Sequence, residues 1–206
     1  MNKKVSLFCF TIFVFTLFGC NNNDEPITPS PYCYVSADYH FSGYVNGISK
    51  SFVSNSKNYQ EYVGSEMLGG EEPIGRFVVG INTWPLNIGD EAIYIRTPKV
   101  NLKDADEVAS LFPRGELSLE QRKDFKLLYE TILDVNNYQS ERFEGKFDED
   151  STIEICKIEK IYSSNGYTNY KVSMIFNCKL YSVGLNGESK GEIKNGEITG
   201  LISVPY

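Results

Sequence analysis

Tyr170-Lys171-Val172-Ser173-Met174-Ile175-Phe176-Asn177-Cys178-Lys179-Leu180-Tyr181 is the stretch that decides the fold. Tyr170, Val172, Met174, Phe176, Cys178 and Leu180 alternate with Lys171, Ser173, Ile175, Asn177, Lys179 and Tyr181. A side-chain period of two belongs to a strand with one face buried and the other largely solvated. The segment before it, Ile153 to Tyr162, reads as its hairpin partner across a turn at Ser163 to Gly166, with Asn165-Gly166 supplying the positive φ. The segment after it, Glu192 to Val204, carries Asn195-Gly196. That pair marks either a turn or a bulge within one long terminal strand.

Strand signals recur toward the N-terminus. Arg142 to Phe147 is one. Tyr39 to Val45 and Ile48 to Ser54 form a hairpin around Asn46-Gly47. Tyr59 to Leu68, Ile74 to Ile81 and Ile93 to Ile95 are β-rich runs bounded by Gly, Asn and Pro. Trp84-Pro85-Leu86 and Asn87-Ile88-Gly89-Asp90 read as a loop with an apolar plug. Between them and Arg142 the pattern changes. Asp104 is placed to cap a short helix running to Phe112, before Pro113. Ser118, with Gln121 three residues on, has the form of a capping box. Gln121, Phe125, Leu128 and Ile132 then fall on one face at helical spacing, which predicts a helix over 119–133 packed across an open end or face of the sheet. The expected fold is mainly β, at most a β-rich α+β. It is an antiparallel β-sandwich or partly open barrel formed by a single domain over 32–206, with a helical insertion at about 104–133.

The acidic tip Asp148-Glu149-Asp150 has the ligand type that suits calcium. It lacks the ordered D-x-D-x-D spacing of a calcium loop, and a solvated turn is the expectation. The only histidine is His40, in a strand segment, and no cysteine pair has zinc-ligand spacing. No metal and no cofactor are expected.

The chain starts with Lys3 and Lys4, then a Phe-rich apolar run from Val5 to Phe18, then Leu17-Phe18-Gly19-Cys20. A charged start, a short apolar core and a small residue before the cut make a secretory leader. The run is short for a spanning helix, which needs about 20 apolar residues. Leu17, Gly19 and Cys20 sit where a lipobox places them, whereas Phe18 stands where a small residue is usual. Residues 1–19 are therefore expected to be a lipoprotein signal peptide, and Cys20 the lipidated residue. Residues 20–31, with Pro26, Pro29 and Pro31, then form a tether with too little apolar surface to fold.

Five cysteines are present. Cys9 leaves with the leader and Cys20 carries lipid. An extracytoplasmic site permits a disulfide among Cys33, Cys156 and Cys178. Cys156 and Cys178 lie on neighbouring strands of the predicted hairpin but offset by three residues. A bulge or longer loop would bring them together; otherwise both are small buried hydrophobes, and inward parity favours that for Cys178. Formal charge is −7, and without Lys3 and Lys4 it becomes −9. An acidic chain is not suited to nucleic acid or to electrostatic docking on anionic lipid.

The lipobox, Phe41-Ser42-Gly43-Tyr44-Val45-Asn46-Gly47, the F-x-C-x-L pattern at Phe176 to Leu180 and the I-x-N-G-E-I pattern at Ile193 to Ile198 accumulate. Together they resemble small lipoproteins of Bacteroidota known as domains of unknown function. Asp24-Glu25 also resembles, in part, the surface-export signal of that group. The resemblance covers both ends of the domain but not its middle. It implies an envelope location and an all-β character, and brings no catalytic residues.

Function classes follow from these features. Nucleophilic catalysis would have to run through His40 alone. A carboxylate-based hydrolase has the acidic residues it needs but no pattern that favours it. A non-catalytic binding module for a glycan, peptide or protein ligand is the main expectation, with Trp84 as a candidate stacking residue. A structural or accessory subunit contacting another envelope protein is the alternative. The expected location is the outer membrane, on its cell-surface or periplasmic side, through lipid on Cys20. Replacing Cys20 by Ala should leave a folded domain that no longer sediments with membranes; a mutant found wholly in the membrane fraction would rule out the anchor.

Overall fold

The structure is a computed structural model. It describes residue 33 and residues 38–56, 59–67, 73–164, 166–183 and 189–205. The expected leader, Cys20 and the expected tether lie outside the described residues.

The chain is mainly antiparallel β. Strands β1 (His40–Val45) and β2 (Ile48–Val53) make the first hairpin, with Asn46 at φ 51 and Gly47 at φ 76 in its two-residue turn. Strands β3 (Tyr59–Met67), β4 (Ile74–Thr83) and β5 (Glu91–Arg96) follow. A connection of short elements comes next: β6 (Val100–Asn101), helix α1 (Ala105–Ser110), β7 (Gly115–Glu116) and helix α2 (Leu119–Arg122). Strands β8 (Lys126–Asp134), β9 (Gln139–Lys146), β10 (Thr152–Ser164), β11 (Tyr167–Ser182) and β12 (Ser189–Pro205) complete the chain.

The strand order is β2-β1-β12-β11-β9-β8-β5-β4-β3, with β10 also on β11, β7 on β10 and β6 on β4. The sheet curls over without closing into a barrel. Its two ends, β2 and β3, are consecutive in the chain, and Asn55 N–H donates to Tyr59 O across the corner between them. Strand β12 packs face to face on the β4 side. At Gly200 a Cβ would stand 2.5 Å from Val79 Cγ1, so the Val79 side chain packs directly on the β12 backbone there.

The stretch 170–181 is the centre of β11. Val172, Met174, Phe176, Cys178 and Leu180 are buried, as the alternation requires. Phe176 lies among Phe41 at 6.3 Å and Phe147 at 6.1 Å, and Phe41 meets Phe52 at 5.4 Å. Asn195-Gly196 is a bulge within one long strand. Asn195 has φ 49, and register shifts there against both neighbours, from Phe176↔Gly196 to Cys178↔Ile193 and from Ser42↔Glu197 to Tyr44↔Lys194.

The expected helix over 119–133 is not formed. Ser118 does cap α2, with the reciprocal Gln121 bonds of a capping box, but the helix stops at Arg122. From Lys126 the chain is a strand between β5 and β9, with Leu127 and Tyr129 buried on one face and Leu128 on the other. Local spacing loses here to pairing, because a helix would leave the ladders of both β5 and β9 unmet. The rest of the insertion is as short as its caps imply. Asp104 accepts from the amides of Asp106 and Glu107, and α1 runs only to Ser110. The connection is tied to both halves of the sheet: β6 pairs with β4 and β7 with β10. Its own Val108, Leu111, Phe112, Leu117 and Phe125 are buried in the core.

The cysteines also need correction. Cys156 is bonded to Cys33, not to Cys178. Strand β10 bulges between Ile155 and Lys157, which face Met174 and Ser173, so Cys156 has no partner across the ladder. Cys178 lies about 13 Å further along β11, too far for a bridge. It is the free, buried thiol, and burial first, then Asp148, pushes its pKa up to about 12. The bond closes a loop of 123 residues, which in the chain-entropy view is worth about 4–5 kcal/mol.

Phe176 is 1% exposed at the meeting point of the aromatic cluster. Phe176→Ala should cost about 3–5 kcal/mol of unfolding free energy. A loss below ~1 kcal/mol in urea titration would contradict the packing described here.

Candidate functional site

Three strands, β7, β10 and β12, place a glutamate in a single row across the sheet. Strand register pairs Glu116 with Glu154, Glu154 with Ile175, Ile175 with Glu197, and Glu197 with Ser42. One row is thus contributed by β7, β10, β11, β12 and β1. The row beside it holds Thr152 and Asn177, which are partners in register, and Asn195 of the bulge. All of these but Ser42 line a groove of about 570 Å³, together with Phe176 and Gly196.

Both residues of the Asn195-Gly196 bulge line the groove. A Cβ on Gly196 would stand 2.7 Å from the Phe176 ring, so only glycine lets the strand lie on that ring. Asn177 holds the walls together. Its Nδ2 donates to Thr152 Oγ1 at 2.9 Å, and its Oδ1 accepts from the Asn195 amide at 2.8 Å. One side chain thereby links β10, β11 and β12.

Electrostatically the groove is one-sided. Like charges directly opposite each other on paired strands repel, and Glu116 and Glu154 are such a pair. Arg122 Nη1 approaches Glu116 at 3.7 Å from the side. Arg122 is itself held by the carbonyls of Leu117 and Asp148. Glu154 Oε1 lies 3.5 Å from Cys33 Sγ, so the disulfide borders the groove. Glu197 Oε1 is 3.1 Å from His40 Nε2, and His40 Nδ1 is 3.1 Å from the Asp38 carbonyl. Carboxylates accept hydrogen bonds and repel anions. The lining therefore suits a ligand rich in donors.

His40 is buried between these partners, as a structural histidine would be. Of the hydroxyls around the groove, Thr152 Oγ1 accepts from Asn177, and Ser173 and Thr199 in the row on the other side are buried and bonded to each other at 2.9 Å. Trp84 is elsewhere. It lies 68% exposed in the β4–β5 loop and does not line the groove. In the acidic tip, Asp150 is paired with Lys179, and Asp148 Oδ1 accepts from Ser151 Oγ. Among the described residues no group of His, Cys, Asp or Glu is placed to hold a metal ion.

Sequence reasoning did not single out Glu116, Glu154 or Glu197. They come from separate strands, and only the Asn195-Gly196 pair gave a local sign of the feature that brings them together. Comparison with protein families, with curated proteins and with solved structures finds no match for the chain.

Asn177→Ala removes both bonds that join the groove walls and leaves the Asn195 amide without its acceptor. A loss of about 1–2 kcal/mol is expected, with the largest amide shifts in NMR at 152–154 and 195–197. Unchanged stability and unperturbed shifts at the bulge would show that Asn177 does not hold it.

Proposed function

We propose that the chain is an envelope lipoprotein, anchored by lipid on Cys20 at the outer membrane, whose β domain is a non-catalytic binding module. The groove over β7, β10, β11 and β12 is where it takes hold of its ligand. The observation that carries this reading is the lining: Glu116, Glu154 and Glu197 with the carboxamides of Asn177 and Asn195 around one groove. Acceptors in that density fit the hydroxyls of a glycan or the basic side chains of a peptide.

Two further features support it. The Cys33–Cys156 bond is of a kind that persists in oxidising compartments and is rare in the cytosol. The site also stands on paired strands rather than on free loops, so its geometry is set by ladders and by Asn177, which favours capture by a preformed surface. The non-catalytic part of the reading is supported by the state of the reactive groups. Cys156 is in a disulfide, Cys178 is buried with a raised pKa, and the hydroxyls of Ser173 and Thr199 face each other.

The test is a thermal-shift panel of neutral oligosaccharides and of Lys- and Arg-rich peptides on the oxidised protein. A member of one class should raise the melting midpoint. The double variant Glu154→Gln, Glu197→Gln should lose that response while keeping its circular dichroism. A response that persists in the variant would remove the groove from the site, and a salt-insensitive response would select the glycan over the basic peptide.

A further inference from the structure

Four large apolar side chains stand exposed at one end of the sheet. Trp84 and Ile88 lie in the β4–β5 loop, Leu133 near the end of β8, and Tyr138 in the β8–β9 turn. Their exposures are 68%, 70%, 52% and 84%. The two loops are bonded into one surface, because Gly89 N–H donates to Ile132 O and Ile132 N–H to Asp90 O, both at 2.8 Å. The carboxylates at this end are turned onto their own loops. Asp90 accepts from the Asn87 amide and Nδ2, and Asp134 accepts from the amides of Asn136 and Asn137 and from Asn137 Nδ2. The apolar groups therefore project beyond a collar of satisfied polar ones.

A tryptophan, a tyrosine and two aliphatic side chains on a polar collar have the composition of a membrane–water interface contact, in which aromatic rings rest among headgroups and aliphatic chains reach below them. The length of chain before the domain says that a membrane is within range. Cys33 is fixed on β10, so about a dozen residues separate it from Cys20, a reach of up to ~40 Å. From Cys156 the sheet runs through β11, β12 and β1 to β2. It then turns the corner to Tyr59, which is paired with Thr83, next to Trp84. At ~4.8 Å per strand this path is about 30 Å. The net charge of −7 leaves no electrostatic pull toward anionic lipid, so the contact would be apolar.

We infer that Trp84 and Ile88, with Leu133 and Tyr138, insert into the headgroup layer of the same membrane that holds Cys20 and fix how the domain stands on it. The inference rests on the anchor proposed above. Trp84 is the only tryptophan in the chain, so its emission reports on this loop alone. The experiment uses the full lipidated protein in vesicles of phosphatidylethanolamine and phosphatidylcholine, read by flotation and by Trp84 fluorescence. Expected are co-flotation, a blue shift of emission relative to the Cys20→Ala protein in buffer, and quenching by brominated acyl chains. Ile88→Ser combined with Leu133→Ser should weaken the shift and the quenching while flotation persists. Co-flotation with emission unshifted and unquenched would leave the anchor standing and overturn the insertion. Absence of flotation would overturn both. A shift produced by a soluble malto- or cello-oligosaccharide, with no quenching from lipid, would assign the loop to a soluble ligand instead.

Discussion

Everything in this domain depends on the pairing of β11 with its neighbours. One edge of β11 is taken along nearly its whole length by β12. The other edge is shared, first by β10 up to Asn177 and then by β9 from Lys179. Strands β9 and β10 are therefore successive occupants of one line, parted by the tight segment from Phe147 to Ser151, where Ser151 Oγ bonds back to Lys146 O. This branching lets a single strand serve both halves of the fold. Through β9 it leads to β8, β5, β4 and β3, and through β12 to β1 and β2. The Phe176 cluster lies at that junction, which is why burial and topology converge on the same few residues.

The two halves must still be held together where the sheet fails to close. Lys50 on β2 reaches both carboxylate oxygens of Glu91 at 2.8 Å, and Tyr129 on β8 donates to the same carboxylate. Burial first, then the bond to Glu91, raises the Tyr129 pKa, so the phenol stays a donor. Tyr59 stacks on Phe52 at 4.9 Å beside this bridge. A polar bridge of this kind does what ladder bonds do elsewhere in the sheet, and it is satisfied on each side, as a partly buried charge pair must be.

Much of the sheet was legible because its signals are local. The alternation in 170–181, the positive-φ pair Asn46-Gly47 and the caps at Asp104 and Ser118 each need only a few neighbouring residues to act. Where the outcome depended on distant partners, local pattern misled. Residues 126–134 carry a spacing that also suits a helix, and only the edges of β5 and β9 decide against it. The disulfide was not legible for a related reason. Neighbouring strands left a Cys156–Cys178 bond open as one possibility beside two buried thiols, and nothing local pointed to Cys33, which is far away in sequence and bonds to Cys156 at the bulge of β10. The groove was illegible because its three carboxylates meet only through register, and a shift by one residue in any strand would turn one of them to the other face.

The disulfide also has a mechanical side. Strand β1 is the first strand of the domain, and a pull on its leading end would by itself unzip it from β2 and β12 one rung at a time. With Cys33 bonded to Cys156, tension arriving from the N-terminal side passes through sulfur into the middle of β10. There it is borne by the rungs of the β10–β11 ladder acting together, and the backbone between the two cysteines is bypassed. Reduction of that one bond would move the point of loading from the interior of the sheet to the start of β1, and would change the manner of failure from shear to peeling.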